Sequence, residues 1–148
     1  ALYGSATYTI EYMQHVFKNP KLVMNATKVN AHTGTDDLCT FTMVMNDKVM
    51  VTSTIAMNAP LVNEAVFYGD KGLIRVPNYW KAKEVILEVY NEEKVVYPFP
   101  YTSEFKYEVN HINACIEKGL LTSPVITKEM TLETTSMVEE AYKQWGLI

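Results

Sequence analysis

The chain has 148 residues, a length that fits one domain and allows roughly 70 % of the unfolded surface to be buried on folding. A hydrophobic content of 48 % and a charged content of 20 % are ordinary for a globular domain and exclude a disordered chain. The net charge of −4 provides no attraction for nucleic acid or an anionic membrane, and no apolar run is long enough to span a bilayer. We therefore expect neither nucleic acid nor a membrane as a partner.

Cysteine and histidine usage argues against a metal site. Cys39 and Cys115 are far apart, and His15, His32 and His111 show no ligand spacing. We interpret the two cysteines as buried, reduced thiols and expect a cytoplasmic protein. The first residues lack a secretory signal pattern, and because the chain begins with alanine rather than methionine, we expect it to be part of a longer protein.

The first predicted element is a helix from Ser5 to about Phe17. Apolar residues recur there at intervals of four, three and four positions, as one helical stripe does. The stripe consists of Ala6, Ile10, Met13 and Phe17. Pro20 is expected to end the helix, because the residue before a proline avoids helical geometry.

Three strands are expected next, over Lys21–His32, Leu38–Met45 and Lys48–Met57, with Asn46-Asp47 turning the chain between the last two. Neither face of the second and third strands is frankly hydrophilic, so we expect both faces to be covered. Five of the eight methionines fall in these strands. Two interpretations of them stay open: adaptable core packing, or one sheet face serving as a subunit or domain interface.

The middle of the chain predicts four more strands. Gly69-Asp70-Lys71-Gly72 forms a glycine-bracketed turn between the strands Glu64–Tyr68 and Leu73–Val76. Pro77 stops the second of these, because proline donates no backbone hydrogen bond. The two further strands are Glu84–Tyr90 and Lys94–Pro98.

Two helices are expected to close the chain, over Phe105–Lys118 and from Thr127 to Trp145. Thr127 suits an N-cap, and Gly119 and Gly146 stand where left-handed C-terminal caps belong. The order of one helix, many strands and two helices indicates an α+β fold with a largely antiparallel sheet.

A second face of the first predicted helix is polar. Tyr8, Glu11, Tyr12 and His15 stack along one side of it. Taken alone, this face is typical of a solvated or hydrogen-bonded surface.

Four stretches resemble one enzyme family, and the first of them is Gly4–Glu11. The segment Gly69–Trp80, with the pattern Gly-x-Lys-Gly-x-Ile-x-Val-Pro-x-x-Trp, resembles a hairpin of the glucose–fructose oxidoreductase / inositol dehydrogenase (Gfo/Idh/MocA) family, in particular its dimeric dihydrodiol dehydrogenase branch. The loop Thr33–Asp37 is similar to the family's Thr-Gly-x-Asp loop, and the tail from Tyr107 to Ile126 is similar to the same branch. The motifs follow one another in the family's order.

The resemblance implies that residues 1–148 form the C-terminal substrate-binding and dimerisation domain of such an enzyme. The implied fold is an open, predominantly antiparallel sheet with helices on one face, as in the C-terminal domain of glyceraldehyde-3-phosphate dehydrogenase. The N-terminal Rossmann domain is then absent from this chain, which has no Gly-x-Gly-x-x-Gly loop. NAD or NADP is expected in the full-length parent, bound mainly by the missing domain, and none in this fragment, which is predicted to be inactive alone.

The resemblance also implies site residues. Tyr8 stands where the family has a histidine or tyrosine that shares in proton transfer, and Glu11 where it has an acid, whereas Gly4 replaces an aspartate. We predict Tyr8 as the catalytic acid/base, and Glu11, Asp36, Asn78 and Trp80 as weaker substrate-binding candidates. The alternative for Asp36 is an ordinary turn residue, and for Trp80 simple burial. His111 is interpreted as a structural residue of a helix.

The function predicted for the parent is NAD(P)-dependent oxidation or reduction of a sugar, polyol or diol, and the sheet face not covered by helices is expected to form a homodimer. Two alternatives remain. The missing carboxylate at Gly4 suits a non-catalytic, ligand-binding or regulatory relative of the same fold. The chain could also be an α+β association module of unrelated origin.

Overall fold

A computed structural model of the chain describes residues 1–18 and 22–148, and of Leu22 only the backbone. The helices are α1 (Thr7–Phe17), α2 (Phe105–Glu117) and α3 (Lys128–Gln144), with a π-helical segment Leu2–Ala6 before α1 and a short 3₁₀ turn Tyr79–Lys81. The strands are β1 (Leu22–Asn30), β2 (Asp36–Met45), β3 (Val49–Ala56), β4 (Glu64–Tyr68), β5 (Gly72–Pro77), β6 (Glu84–Val89) and β7 (Val95–Pro98). The predicted helix stop at Pro20 and strand start at Lys21 lie outside the described residues.

The chain divides into two compact units. The first unit comprises Ala1–Leu61 and Leu120–Ile148, and the second unit comprises Val62–Gly119. The first contains a three-stranded sheet in the order β1-β2-β3, and the second a four-stranded sheet in the order β4-β5-β6-β7. Every strand pair described is antiparallel, which confirms the predicted α+β class.

One face of the three-stranded sheet forms the core of the first unit. Its inner face buries Met24, Cys39, Phe41, Met43 and Met45. The buried side chains of the helices of this unit are Leu2, Ala6, Thr9, Ile10, Met13, Gln14, Met130, Thr134, Met137, Val138 and Ala141. Three of the four residues in the predicted stripe of the first helix, Ala6, Ile10 and Met13, therefore point inward. Three of the five strand methionines are core residues, as the packing interpretation expects.

The opposite face of the same sheet, called the outer face below, consists of alternating residues that the strand register places side by side. By strand they are Val23, Asn25, Thr27 and Val29, then Leu38, Thr40, Thr42 and Val44, and finally Met50, Thr52, Thr54 and Ala56. Val23, Val29, Val44 and Met50 are exposed. The expectation that both faces of this sheet are covered is therefore confirmed for the inner face, whereas the outer face keeps exposed side chains within this chain.

The β2–β3 hairpin turns where predicted. Asn46 and Asp47 both adopt left-handed backbone conformations, with φ of 51° and 55°, and Lys48 N–H donates to the Met45 carbonyl at 3.0 Å. Two successive left-handed residues define a type I′ turn, whose twist matches that of the flanking strands.

In the second unit, the turn glycine Gly72 is required by close packing of two backbones. A Cβ atom placed on Gly72 would lie 2.2 Å from the Glu88 carbonyl oxygen of β6. Arg75 of β5 bridges its two neighbouring strands, since it donates to Glu64 at 2.9 Å and to Glu88 at 3.1 Å. The hairpin motif thus contains the glycine that lets β5 approach β6 closely and the arginine that forms ion pairs with both neighbouring strands.

The two later helices differ in burial. Thr127 caps α3, because its Oγ1 accepts from Met130 N–H at 3.2 Å, and Gly119 and Gly146 are left-handed as predicted. In contrast, α2 has no buried residue. The apolar residues Phe105, Val109, Ile112 and Ile116 of α2 are exposed, so this helix does not cover a sheet face within the described residues as the predicted fold implies. In the part of the chain that the structure describes, no helix is long and apolar enough to cross a membrane.

Candidate functional site

Tyr8 is presented outward by the first helix. It is the second residue of α1 and 60 % of its surface is exposed, whereas Thr9, Ile10, Met13 and Gln14 of the same helix are buried. The buried residues anchor one side of α1 and leave the phenol on the opposite, solvent side. The predicted polar face is thus accessible to a ligand.

A buried polar contact holds α1 against α3. Thr134 Oγ1 donates to Gln14 Oε1 at 2.9 Å, and Gln14 Nε2 donates to Glu133 Oε2 at 2.9 Å. Both polar atoms of the fully buried Gln14 amide are therefore satisfied. Such a contact sets the rotation of α1 about its axis, and so the direction in which Tyr8 points. Sequence reasoning missed Gln14; the signal available was a polar residue four positions after the stripe residue Ile10.

Glu11 follows Tyr8 by three residues and shares its side of α1. Partial burial raises the pKa of the Glu11 carboxyl above its ordinary value. Its carboxylate oxygens accept hydrogen bonds, so a hydroxyl group beside Tyr8 is a suitable partner for Glu11.

Asp36 lies in the protein interior, with 7 % of its surface exposed. Its Oδ2 accepts from Leu2 N–H, and its Oδ1 accepts from Tyr142 Oη at 3.2 Å. Burial by itself raises the pKa of Asp36, whereas the hydrogen bonds from Leu2 and Tyr142 lower it, because they favour the charged carboxylate. Asp36 thus connects the start of β2 to the π-helical segment before α1 and to α3. Tyr142 is a further residue that sequence reasoning missed.

Asn78 and Trp80 belong to the second unit, whereas Tyr8, Glu11 and Asp36 belong to the first. Asn78 is exposed, left-handed with φ of 48°, and its N–H donates to the Asn63 carbonyl at 2.6 Å. The Trp80 ring is 47 % exposed and lies 4.2 Å from Lys81 Nζ, a cation–π distance. Simple burial therefore does not account for Trp80, whose ring remains available for contact.

The cysteines and acidic residues offer no metal centre. Among residues 1–18 and 22–148, no group of three His, Cys, Asp or Glu side chains could hold a metal ion. Both cysteines are free thiols. Cys39 is buried as predicted. Cys115 is only half-buried, since it belongs to α2, a helix without buried residues. Its Sγ atom lies 3.5 Å from His111 Nε2.

Curated relatives match the chain over nearly its whole length. The trans-1,2-dihydrobenzene-1,2-diol dehydrogenase of Xenopus laevis is 24 % identical over 159 residues, covering 100 % of this chain and 47 % of the relative. The enzyme of the same name from Homo sapiens is 26 % identical over 155 residues, covering 99 % of this chain and 46 % of the relative. The chain thus spans about half the length of the curated relatives it matches.

Solved structures with similar folds are also oxidoreductases. A 3-ketoreductase from Actinomadura kijaniata in complex with NADP superposes with a TM-score of 0.81 at 16 % identity, covering 97 % of this chain and 47 % of that one. A dehydrogenase from Clostridium difficile superposes with a TM-score of 0.77 at 11 % identity, covering the same shares. At such low identity these superpositions establish the fold alone.

A family model matches the first half of the chain. The model of the GFO/IDH/MocA C-terminal domain matches residues 1–75, which contain α1, the Thr33–Asp37 loop and the β4–β5 hairpin up to Arg75. A match over half of the chain excludes an association module of unrelated origin. This chain belongs to the GFO/IDH/MocA C-terminal domain family.

Proposed function

We propose that the chain, residues 1–148, is the substrate-binding and dimerisation domain of an NAD(P)-dependent oxidoreductase that acts on a diol or a sugar. The observation that carries the proposal is the exposed Tyr8 phenol on a helix whose opposite side is buried. The names of the relatives, a diol dehydrogenase and an NADP-bound ketoreductase, support the substrate class and the cofactor.

In the proposed mechanism, Tyr8 exchanges a proton with the oxygen atom of the substrate that changes between alcohol and carbonyl. A bound nicotinamide would supply or accept the hydride. A phenol titrates near pH 10, so Tyr8 needs a nearby cation to act as a base at neutral pH. We propose that this cation, and most of the cofactor site, lie in the rest of the full-length protein.

The remaining candidates receive different roles. Glu11 would bind a substrate hydroxyl beside Tyr8. Asn78 and Trp80, an exposed amide and an exposed aromatic ring of the second unit, remain predictions from the resemblance. Asp36, whose two carboxylate oxygens are already hydrogen-bonded within the chain, would position the segment before α1 rather than touch the substrate.

The test of this function is Tyr8→Phe in the full-length protein, with NAD(P)H absorbance followed over a panel of diols and sugars. Loss of the hydroxyl should lower kcat by about 100-fold or more, the range of general acid–base catalysis. Tyr90→Phe removes one hydroxyl from another exposed tyrosine and should leave kcat unchanged. Full activity of Tyr8→Phe would contradict the mechanism.

A non-catalytic ligand-binding relative is the second candidate, favoured by Gly4, which stands in place of a family aspartate. The same assay separates the two candidates. A wild-type protein that binds a diol or sugar and NADP but never changes the absorbance of the cofactor would be a binding protein.

We further propose that the outer face of the three-stranded sheet forms a homodimer. None of the twelve residues that define this face is charged, and six of the twelve are threonine or asparagine. The Thr40 and Thr54 hydroxyls pair at 3.1 Å across β2 and β3, so these two polar groups already have partners within the sheet. An uncharged, partly apolar sheet face is typical of an interface.

Thr42→Lys places a charge at the centre of the outer face, on the middle strand. Sedimentation at micromolar concentration should show a dimer for the wild type and a monomer for this variant. Thr135→Lys, the same change on the exposed side of α3, should leave the dimer intact. A wild-type monomer would overturn the dimer proposal.

We also propose the cytoplasm as the location, where the two free thiols would stay reduced.

A further inference from the structure

Helix α2 turns its most apolar side to solvent. Four apolar residues recur along it at intervals of four, three and four positions, so they form one stripe, called the α2 stripe below. Its members are Phe105, Val109, Ile112 and Ile116, and each is between 54 and 68 % exposed. By contrast, His111, Ala114 and Cys115 of the same helix are half-buried. The described residues therefore leave uncovered the side of α2 that gains most from leaving water.

The two edges of the α2 stripe are polar. Lys106 lies to one side of it and Glu108 to the other, and both are exposed. An apolar centre with a polar rim is the arrangement found in protein–protein interfaces. A membrane surface is a poorer partner, because α2 carries one lysine against two glutamates, whereas helices that lie on anionic lipid are rich in basic residues. The α2 stripe thus suits an apolar protein surface.

The size of the α2 stripe limits what can bind it. Four half-exposed side chains of this kind can bury only a few hundred Å². Two separate proteins in a stable complex each bury about 800 Å², which is more than this stripe offers. Two domains of one chain associate through smaller surfaces, down to about 300 Å² on each side, because the tether keeps their effective concentration high. The area therefore favours a partner that belongs to the same polypeptide.

We propose that the α2 stripe is the docking surface for the part of the full-length protein that lies outside these 148 residues. The inference rests on the proposed function, which makes this chain one domain of a longer enzyme, and it names where the rest of that enzyme makes contact. The curated relatives are about twice as long as this chain, so a protein of their length has enough chain for such a partner. Docking on α2 would hold the second unit against the domain that we expect to bind the cofactor.

Cysteine labelling of the full-length protein tests the docking. Val109→Cys places a thiol within the α2 stripe, and Asn110→Cys places one on an exposed side of the helix away from the stripe, both in a Cys115→Ala background. Iodoacetamide should modify position 109 at least about tenfold more slowly than position 110, because a docked surface is reached only when it opens. Peptide mass mapping over time gives both rates. Equal rates would overturn the inference.

The same labelling of monomeric protein separates a partner within the chain from a second copy. Thr42→Lys, together with dilution, keeps the full-length protein monomeric during the reaction. Labelling of position 109 that stays slow in the monomer would support docking within one polypeptide. Labelling that becomes as fast as at position 110 would show that a second copy covers the α2 stripe, and it would overturn the inference.

Thermal unfolding of the full-length protein gives a second, independent measurement. Ile112 is 56 % exposed, so a charge at this position would change stability little if the α2 stripe faced water. Ile112→Asp should instead lower the unfolding temperature by at least about 4 °C, because docking would bury the charge. Asn110→Asp introduces the same side chain away from the stripe and should shift it by less than about 1 °C. Equal shifts for the two variants would contradict the docking.

Neither measurement requires turnover, so the inference and the proposed function can fail separately. A full-length protein that oxidises or reduces no diol or sugar but labels slowly at position 109 would support the docking while the proposed function fails. An active protein that labels equally fast at both positions would keep the function and overturn the docking.

Discussion

The side chain of Gln144 pairs with the backbone of Ala26 as a neighbouring strand would. Its Oε1 accepts from Ala26 N–H at 3.2 Å, while its Nε2 donates to the Met24 carbonyl at 3.2 Å. Next to it, Trp145 Nε1 donates to the Ala26 carbonyl at 3.0 Å. Because β1 is an edge strand of the three-stranded sheet, the end of α3 thereby covers part of an edge that could otherwise pair with another chain.

We predict that Gln144→Ala destabilises the protein by about 1–2 kcal/mol, since two backbone groups lose their partner. Chemical denaturation measures this change. The uncovered edge should also promote association, visible as species larger than those of the wild type in light scattering at rising concentration. Lys143→Ala, a change at an adjacent exposed residue whose ion pair with Glu139 is at 3.8 Å, should have neither effect.

Thr134→Val tests the contact between α1 and α3. The substitution keeps the shape but leaves Gln14 Oε1 buried without its donor, which should cost about 1–3 kcal/mol of unfolding free energy. In the Gln14→Met background the same substitution should cost much less, because the oxygen is no longer present. Equal costs in both backgrounds, measured by urea denaturation, would show that the hydrogen bond is not what stabilises the contact.

Asp36 should make stability depend on pH in acid. The hydrogen bonds from Leu2 N–H and Tyr142 Oη lower its folded-state pKa relative to the ordinary value of 3.8, so they contribute stability above that pH and lose the contribution as pH falls through the folded-state pKa. The unfolding free energy of the wild type should therefore exceed that of Asp36→Asn near neutral pH, and the difference should shrink below pH 4. Asp47→Asn, in the β2–β3 turn, should show no such convergence in parallel denaturation series.

The two thiols should differ in reactivity. Burial, followed by the nearby Asp36 charge, raises the pKa of Cys39 to about 11, so little reactive thiolate exists at neutral pH. Cys115 is half-buried, and a reagent can reach it in the native protein. Iodoacetamide labelling followed by peptide mass mapping should modify Cys115 first and Cys39 only after unfolding. Faster labelling of native Cys39 would show that the inner face of the sheet opens.

Much of the fold could be predicted from local patterns. The β2–β3 turn at Asn46-Asp47, the Thr127 cap and the left-handed Gly119 and Gly146 depend on residues close in sequence, and all are found where the patterns place them. The inward stripe of α3 likewise follows from its spacing. The candidate site was less predictable, because Gln14, Tyr142 and Gln144 act through partners more than a hundred residues away.

The sequence by itself determined the type and order of the elements and, through short motifs, the family. Hydrophobic periodicity and turn chemistry are local properties, so they can be recognised in the sequence without knowing which distant segments pack together. Only the tertiary structure decided that Asp36 is buried among hydrogen-bond donors, that Trp80 is half exposed, and that the apolar residues of α2 remain uncovered. Burial and open space depend on which distant segments pack together, and a sequence pattern does not specify those distances.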